Sequence, residues 1–278
     1  MIQSLSSANL NRIAPDVNRL AVPSIRIVDV PGKTDGDLRG RSHLGGRPDL
    51  PSGAQWPTWK GAPMAFVAQL RLEEVAPFDT DHRLPNAGML SFFYDSSQET
   101  YGADPDDRGG WQVVYNTGDL AAWQPLAFPA GLGEENHFQP VGVSFAKELT
   151  LPSAPLQVDP RLTWSDDEIK RYENWLVDRF SPAERGEPHN RVFGEPDQIQ
   201  DDMRSECALA ANGFRSPTDP GAAEAVQAKM DWTLLLQVDS DANAKMRWGS
   251  AGMIYFWITQ AALKDKHFDQ TWLVMQSD

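Results

Sequence analysis

Cysteine is almost missing from this chain: Cys207 stands alone among 278 residues. A single thiol excludes an intrachain disulfide and any zinc site built on paired cysteines. Long apolar runs are missing as well. No stretch approaches the roughly 20 residues a helix needs to span a bilayer. The opening residues, Met1-Ile2-Gln3-Ser4-Leu5-Ser6-Ser7, have no basic segment followed by an apolar one, so no signal peptide is read. Positive charge is in deficit, with 25 Lys and Arg against 39 Asp and Glu, a net charge of −14. Neutralising phosphates or docking on anionic lipid needs a basic footprint, so no nucleic-acid or membrane partner is expected. Histidine is sparse. His43, His82, His137, His189 and His267 never fall at an i, i+4 metal-binding spacing. Each reads as a loop or surface residue, and neither a metal nor a cofactor is expected. These absences favour a cytoplasmic setting. The acidity serves solubility, and it also permits a basic partner, whose encounter an acidic surface accelerates.

What is present is a pattern stated twice. Gly45-Gly46-Arg47-Pro48 leads to the apolar run Met64-Ala65-Phe66-Val67-Ala68-Gln69, then to Gly88-Met89-Leu90-Ser91-Phe92-Phe93 and Trp111-Gln112-Val113-Val114-Tyr115. Later, Gly194-Glu195-Pro196 leads to Trp232-Thr233-Leu234-Leu235-Leu236-Gln237, then to Gly252-Met253-Ile254-Tyr255-Phe256-Trp257 and Thr271-Trp272-Leu273-Val274-Met275. The period is too long for a solenoid and recurs only once. It reads as an internal duplication of a β unit, with a seam or groove between the two copies.

Leu10, Ile13, Val17 and Leu20 fall at helical spacing after a Ser6-Ser7 cap. Residues 24–30 alternate as a strand, and 31–62 read as an irregular loop stiffened at Leu50-Pro51 and Trp56-Pro57. Strands are expected at about 64–72, 89–95, 111–116 and 139–151. Ser165-Asp166-Asp167-Glu168 is a capping box that opens a helix with Ile169, Tyr172, Leu176 and Phe180 on one face. A Pro/Gly/charged linker at 181–190 divides the halves. Helices near 201–211 and 221–230 precede strands near 232–238, 252–258 and 271–276. Strands and helices do not alternate, so the fold class is α+β, predominantly antiparallel β, with peripheral helices around the duplicated units. Residues 1–278 form one globular unit: a first β repeat over 21–150, a helical linker over 151–190 and a second repeat over 191–278.

The usual catalytic motifs fail. Pro31-Gly32-Lys33-Thr34 ends like a phosphate loop, but its earlier glycine would fall on Ile27. Gly142-Val143-Ser144-Phe145-Ala146 continues extended rather than turning into a helix, so Ser144 is a strand serine. Asp239-Ser240-Asp241-Ala242-Asn243 begins like a calcium loop, but Ala244 and Ser250 stand where Gly and Glu are required. A turn between strands is the better reading. Cys207, in a helix, reads as a buried, inert thiol. No catalytic residue is assigned. Gln69 and Gln237 close matched apolar runs, and a buried amide needs partners for donor and acceptor alike. They either pin their own glycine loops or point into the seam. Trp56-Pro57-Thr58-Trp59 either clamps a peptide or a planar ligand or covers the core under a long loop.

Leu44-Gly45-Gly46-Arg47-Pro48-Asp49-Leu50-Pro51, Pro63-Met64-Ala65-Phe66-Val67-Ala68-Gln69-Leu70 and Leu84-Pro85-Asn86-Ala87-Gly88-Met89-Leu90-Ser91-Phe92-Phe93 resemble the YwqG-like bacterial family, a domain of unknown function. So do Phe193-Gly194-Glu195-Pro196-Asp197-Gln198 and the tail from Leu234 through Trp248-Gly249 to Gln276. The likeness covers residue 20 or so to the end. One departure is Glu195, where family members often carry an aromatic. More distantly, the Gly-Gly-x-Pro loop, Leu-Gln strand and Trp-Gly segment are similar to the programmed-cell-death-protein-2 family. That family is associated with escorting a basic small-subunit ribosomal protein. The cysteine-rich zinc module such relatives carry is missing here.

The reading is a non-enzymatic, cytoplasmic interaction module that holds a basic or extended polypeptide, as a chaperone or an immunity-type inhibitor. Its expected groove comprises His43, Gly45, Gly46, Trp56, Trp59, Gln69, Gln237, Asp239 and Trp248. The alternative is a small-molecule receptor or enzyme with a site at the seam. That alternative anticipates a concave pocket with clustered, perturbed polar groups, whereas the interaction module anticipates an open acidic groove with few of them.

Overall fold

Apolar runs that alternate or are buried on both faces build one large antiparallel sheet. The structure, a computed structural model, describes residues 2–180 and 187–277. The sheet's strands are β1 (Val22–Val30), β2 (His43–Leu44), β6 (Ala65–Arg71), β7 (Met89–Tyr94), β8 (Trp111–Asn116), β10 (Val141–Thr150), β11 (Asn190–Val192), β12 (Trp232–Asp239), β13 (Met253–Thr259) and β14 (Trp272–Gln276). Short ribbons pair β3 (Asp49–Leu50) with β9 (Gln124–Pro125) and β4 (Thr58–Trp59) with β5 (Ala62–Pro63). The ten-stranded order is β14-β13-β12-β11-β1-β10-β2-β6-β7-β8. The class is thus strand-dominated α+β, as expected.

The order reads the same from either edge once the halves are matched. β1 and β10 lie at the centre, and β2, β6, β7 and β8 run outward on one side as β11, β12, β13 and β14 do on the other. The match extends to irregularities. The β6–β7 ladder shifts register between Phe66 and Ala68, and the β12–β13 ladder between Leu234 and Leu236. β1 pairs with β11 of the far set and β10 with β2 of the near set, so the central strands interlock the two units.

The two edges meet, leaving the sheet nearly closed. Trp111 of β8 and Trp272 of β14 occupy matched places in the repeat, and their rings contact edge to face at 4.8 Å. The Trp111 indole donates to Thr271 O at 2.9 Å and that of Trp272 to Gly102 O at 2.7 Å. Tyr101 O accepts the Met275 N–H at 3.0 Å, so a loop also covers the β14 edge. Covering removes the exposed pairing groups that make edges aggregate. A Cβ on Gly102 would lie 1.8 Å from Leu273 O, so this approach requires glycine.

A second cluster packs the N-terminal segment against the long helix Asp166–Phe180, bringing Leu10, Ile13, Val17 and Leu20 onto Tyr172 and Trp175. The helix expected after a Ser6-Ser7 cap forms only over Ala14–Leu20, and Ser6 and Ser7 instead end a separate helix, Ile2–Ser7. Asn9 takes a left-handed backbone at φ 55° and Pro15 opens the second helix, which breaks the first while preserving its buried face. Ser165 and Glu168 form the expected capping box. Residues 31–62 are not one irregular loop: they hold the helix Asp35–Leu38, capped by Thr34, and four short strands. The linker reading at 181–190 falls mostly outside the described residues. His189 and Asn190, at its end, are wholly buried.

Candidate functional site

Each unit carries one glycine loop, and one glutamine pins it. Gln69 accepts the Asp49 N–H at 2.8 Å and donates to Arg41 O at 2.8 Å and Asp49 Oδ2 at 2.7 Å. Gln237 repeats the set with the Asp197 N–H at 2.9 Å, His189 O at 2.6 Å and Asp197 Oδ2 at 3.0 Å. Both amides are fully buried and fully used. Gly45 and Gly46 have φ of 56° and 68°, and a Cβ on Gly45 would sit 2.3 Å from Gln139 O. Their counterparts are Phe193 and Gly194, at 62° and 84°.

The other expected site residues are dispersed. His43 is buried, donates from Nδ1 to Gly45 O at 2.8 Å, and is held neutral by burial. Trp248 is wholly buried between Tyr94 and Phe138 and donates to Asp239 O. Trp56 and Trp59 are half-buried on the first unit's own cluster with Leu50, Met64, Phe66 and Phe93. The Trp56 indole is tied to Met64 O at 2.8 Å. Of the nine, only Asp239 lines the large cleft described next. Gln237 stands behind it. The surface reading of the histidines does not hold for His43 and His189, because each lies under a glycine loop whose backbone encloses it.

That cleft, of about 710 Å³, opens beside the second glycine loop. Its polar wall is Arg191, Asp197, Asp239 and Asp241, and its apolar wall includes Leu151, Leu176, Ile199 and Met253. Strand β11 supplies Arg191, wholly buried and ion-paired with Asp197 at 2.7 Å and Glu148 at 3.1 Å. Burial works against the Arg191 charge, but these carboxylates outweigh it and raise its pKa. Burial likewise works against ionised Asp197. Arg191 and the hydrogen bond from His189 Nδ1, at 2.8 Å, outweigh it and hold the carboxyl below its ordinary range.

Asp239 and Asp241 go the other way. Burial raises Asp239, although its carboxylate accepts the His189 N–H at 2.9 Å. Asp241 is fully buried, and burial together with Asp29 pushes it up to about 7. One oxygen of Asp241 accepts the Asn243 N–H at 2.7 Å, and the carboxyl also shares a side-chain hydrogen bond with Asp29. Asn243 also donates to Asp29 at 2.9 Å. A smaller cavity lined by Arg26, Asp29 and Asn243 adjoins the cleft through Glu187 and Pro188. Among the described residues no group of three His, Cys, Asp or Glu is disposed to hold a metal ion.

Matched positions differ in charge between the units. Arg71 stands where the second unit has Asp239: their N–H groups bond to Ser42 Oγ and Asn190 Oδ1, which occupy equivalent places. Asp197 and Asp241 were not legible as site residues. One follows a Gly-x-Pro turn and the other sits in a strand connection, and only burial distinguishes them from solvated acids. Their one signal was position, since Asp197 mirrors Asp49 in the repeat.

Fold and cleft together define an internally duplicated, nearly closed antiparallel β protein with an acidic, apolar-walled cleft between the second unit and the helix Asp166–Phe180. The chain belongs to the family described as domain of unknown function DUF1963, whose model matches residues 42–277. No curated protein matches it.

Proposed function

We propose that this protein binds a basic polypeptide segment, inserting a lysine or arginine side chain into the cleft of the second unit. The supporting observation is the clustering of Asp197, Asp239 and Asp241 on the wall of one cleft, where Asp241 is wholly buried and shares a side-chain hydrogen bond with Asp29. A carboxyl kept part-protonated by burial and a like-charged neighbour is stabilised in its ionised form by an incoming cation. Leu176, Ile199 and the exposed Val177 offer the aliphatic stem and its neighbours an apolar wall. The net charge of −14 favours encounter with such a partner. The distant resemblance to a family associated with escorting a basic small-subunit ribosomal protein supports the same reading. Cytoplasmic residence is part of it; no helix among the described residues is long and apolar enough to cross a membrane.

A second reading, a small-molecule site with acid–base chemistry, is favoured by the form of the cleft, a concave pocket with clustered, perturbed carboxyls such as that reading anticipates. Asp241 near pKa 7 beside Asp29 is the kind of perturbed carboxyl that proton transfer uses. Purification of tagged protein from its own cells at low and high salt separates the two. A stoichiometric basic partner, lost at high salt and lost with Asp239→Asn/Asp241→Asn, supports the polypeptide reading. A bare protein that retains a small cationic molecule supports the second.

A further inference from the structure

The seam between the units holds a second cavity, of about 920 Å³, that shares no lining residue with the acidic cleft. Its walls come from the β6–β7 connection, with His82 and Arg83, and from the start of β12 and the segment after β13, with Thr233, Lys264 and Lys266. On a chain so acidic this is a local cationic excess, since Asp81 is the only carboxylate among the residues lining it.

Arg83 is the distinctive group. Its guanidinium lies over the Phe193 ring at 3.6 Å and makes no hydrogen bond among the described residues. Asp79 is ion-paired with Nε at 3.8 Å, too far for a hydrogen bond, and Nε is buried without a hydrogen-bond partner. The terminal nitrogens stay accessible, and the side chain is 29% exposed. Burial lowers its pKa, so the fold holds this cation at a cost. A guanidinium offers five donors in a fork that fits carboxylate and phosphate oxygens, and here stacking fixes the plane of that fork.

The duplication supplies an internal comparison. Phe193 replaces Gly45 of the first unit and keeps its left-handed backbone at φ 62°, a conformation that disfavours a side chain. Across the seam, at the place equivalent to this cavity, the segment after β7 bonds to the β12–β13 connection, with Gln98 donating to Arg247 O at 3.0 Å and accepting the Gly249 N–H at 3.2 Å. One copy is bridged by these bonds, and the other is open and cationic.

We infer that the seam cavity is a binding site for a small molecule bearing an oxyanion, held by Arg83 on Phe193 with Lys264 and Lys266 at its rim. The proposal is independent of the cleft. Calorimetric titration of the full-length protein with pyrophosphate and, separately, with citrate tests it. One site per chain is expected for at least one anion. Affinity should fall at least tenfold in Arg83→Gln and, because Lys264 and Lys266 are exposed and leave the fold intact, at least threefold in Lys264→Gln/Lys266→Gln. Pyrophosphate alone binding assigns a phosphate ligand; citrate alone assigns a carboxylate. No binding of either anion, or equal affinity in wild type and the double-lysine variant, overturns the site.

Discussion

At the scale of single residues, buried polar groups decide both stability and chemistry. Gln69 and Gln237 each satisfy one backbone donor and two acceptors inside the protein. Removing either amide strands buried partners, which costs more than the net worth of the bonds. Gln69→Ala and Gln237→Ala are each expected to lose about 2–4 kcal/mol in denaturant unfolding. A loss below about 1 kcal/mol in both would mean that water replaces the amides. Asp241 gives a pH signature. Its ordinary value is 3.8 and its folded value about 7. Between those limits the native state holds the proton and the unfolded chain does not, so this group makes stability fall as pH rises. Asp241→Asn, which keeps an acceptor for the Asn243 N–H, is expected to raise the melting temperature at pH 8 and leave it unchanged at pH 4. Equal effects at both pH values would show that the carboxyl is not perturbed.

At the scale of elements, the Trp111–Trp272 contact closes the sheet, and Trp272 is entirely buried. Trp272→Ala is expected to cost about 3–5 kcal/mol, the range for deleting a large buried aromatic. Hydrogen exchange should show β8 and β14 opening first. The Trp56 loop belongs to the first unit's core, so Trp56→Ala should cost about 2 kcal/mol and leave binding in the acidic cleft intact. Weakened binding at unchanged stability would move the site to that loop. The strands of both units were legible because their apolar runs are long and recur in order. β11 and β2 were not: three and two residues carry no period, and their strand state comes from neighbours on both sides. The N-terminal helix was misjudged for a related reason. Leu10 to Leu20 keep helical spacing across a break that Asn9 and Pro15 impose locally. The glutamine pins were visible as matched residues, but whether they faced the seam or their own loops depended on where the loop carbonyls lie. Asp241, in a motif that failed as a calcium loop, acquires its character only from burial and from Asp29, 212 positions away in sequence.

At the scale of the whole molecule, duplication provides a scaffold and divergence provides sites. The units share a pinned loop, a bulge and an edge tryptophan, and they interlock through β1 and β10. They differ where ligands would meet them: Asp239 against Arg71 at the cleft and Phe193 against Gly45 at the seam. The central claim is that the acidic cleft receives a cationic side chain of a polypeptide. Fluorescence anisotropy with a labelled peptide alternating Arg and Leu, beside its Glu-for-Arg counterpart, tests this most directly. The Arg peptide should bind and the Glu peptide should not. Affinity for the Arg peptide should drop with salt and fall at least tenfold in Asp239→Asn/Asp241→Asn. Equal binding of both peptides, or undiminished binding of the Arg peptide by the double variant, would contradict the claim.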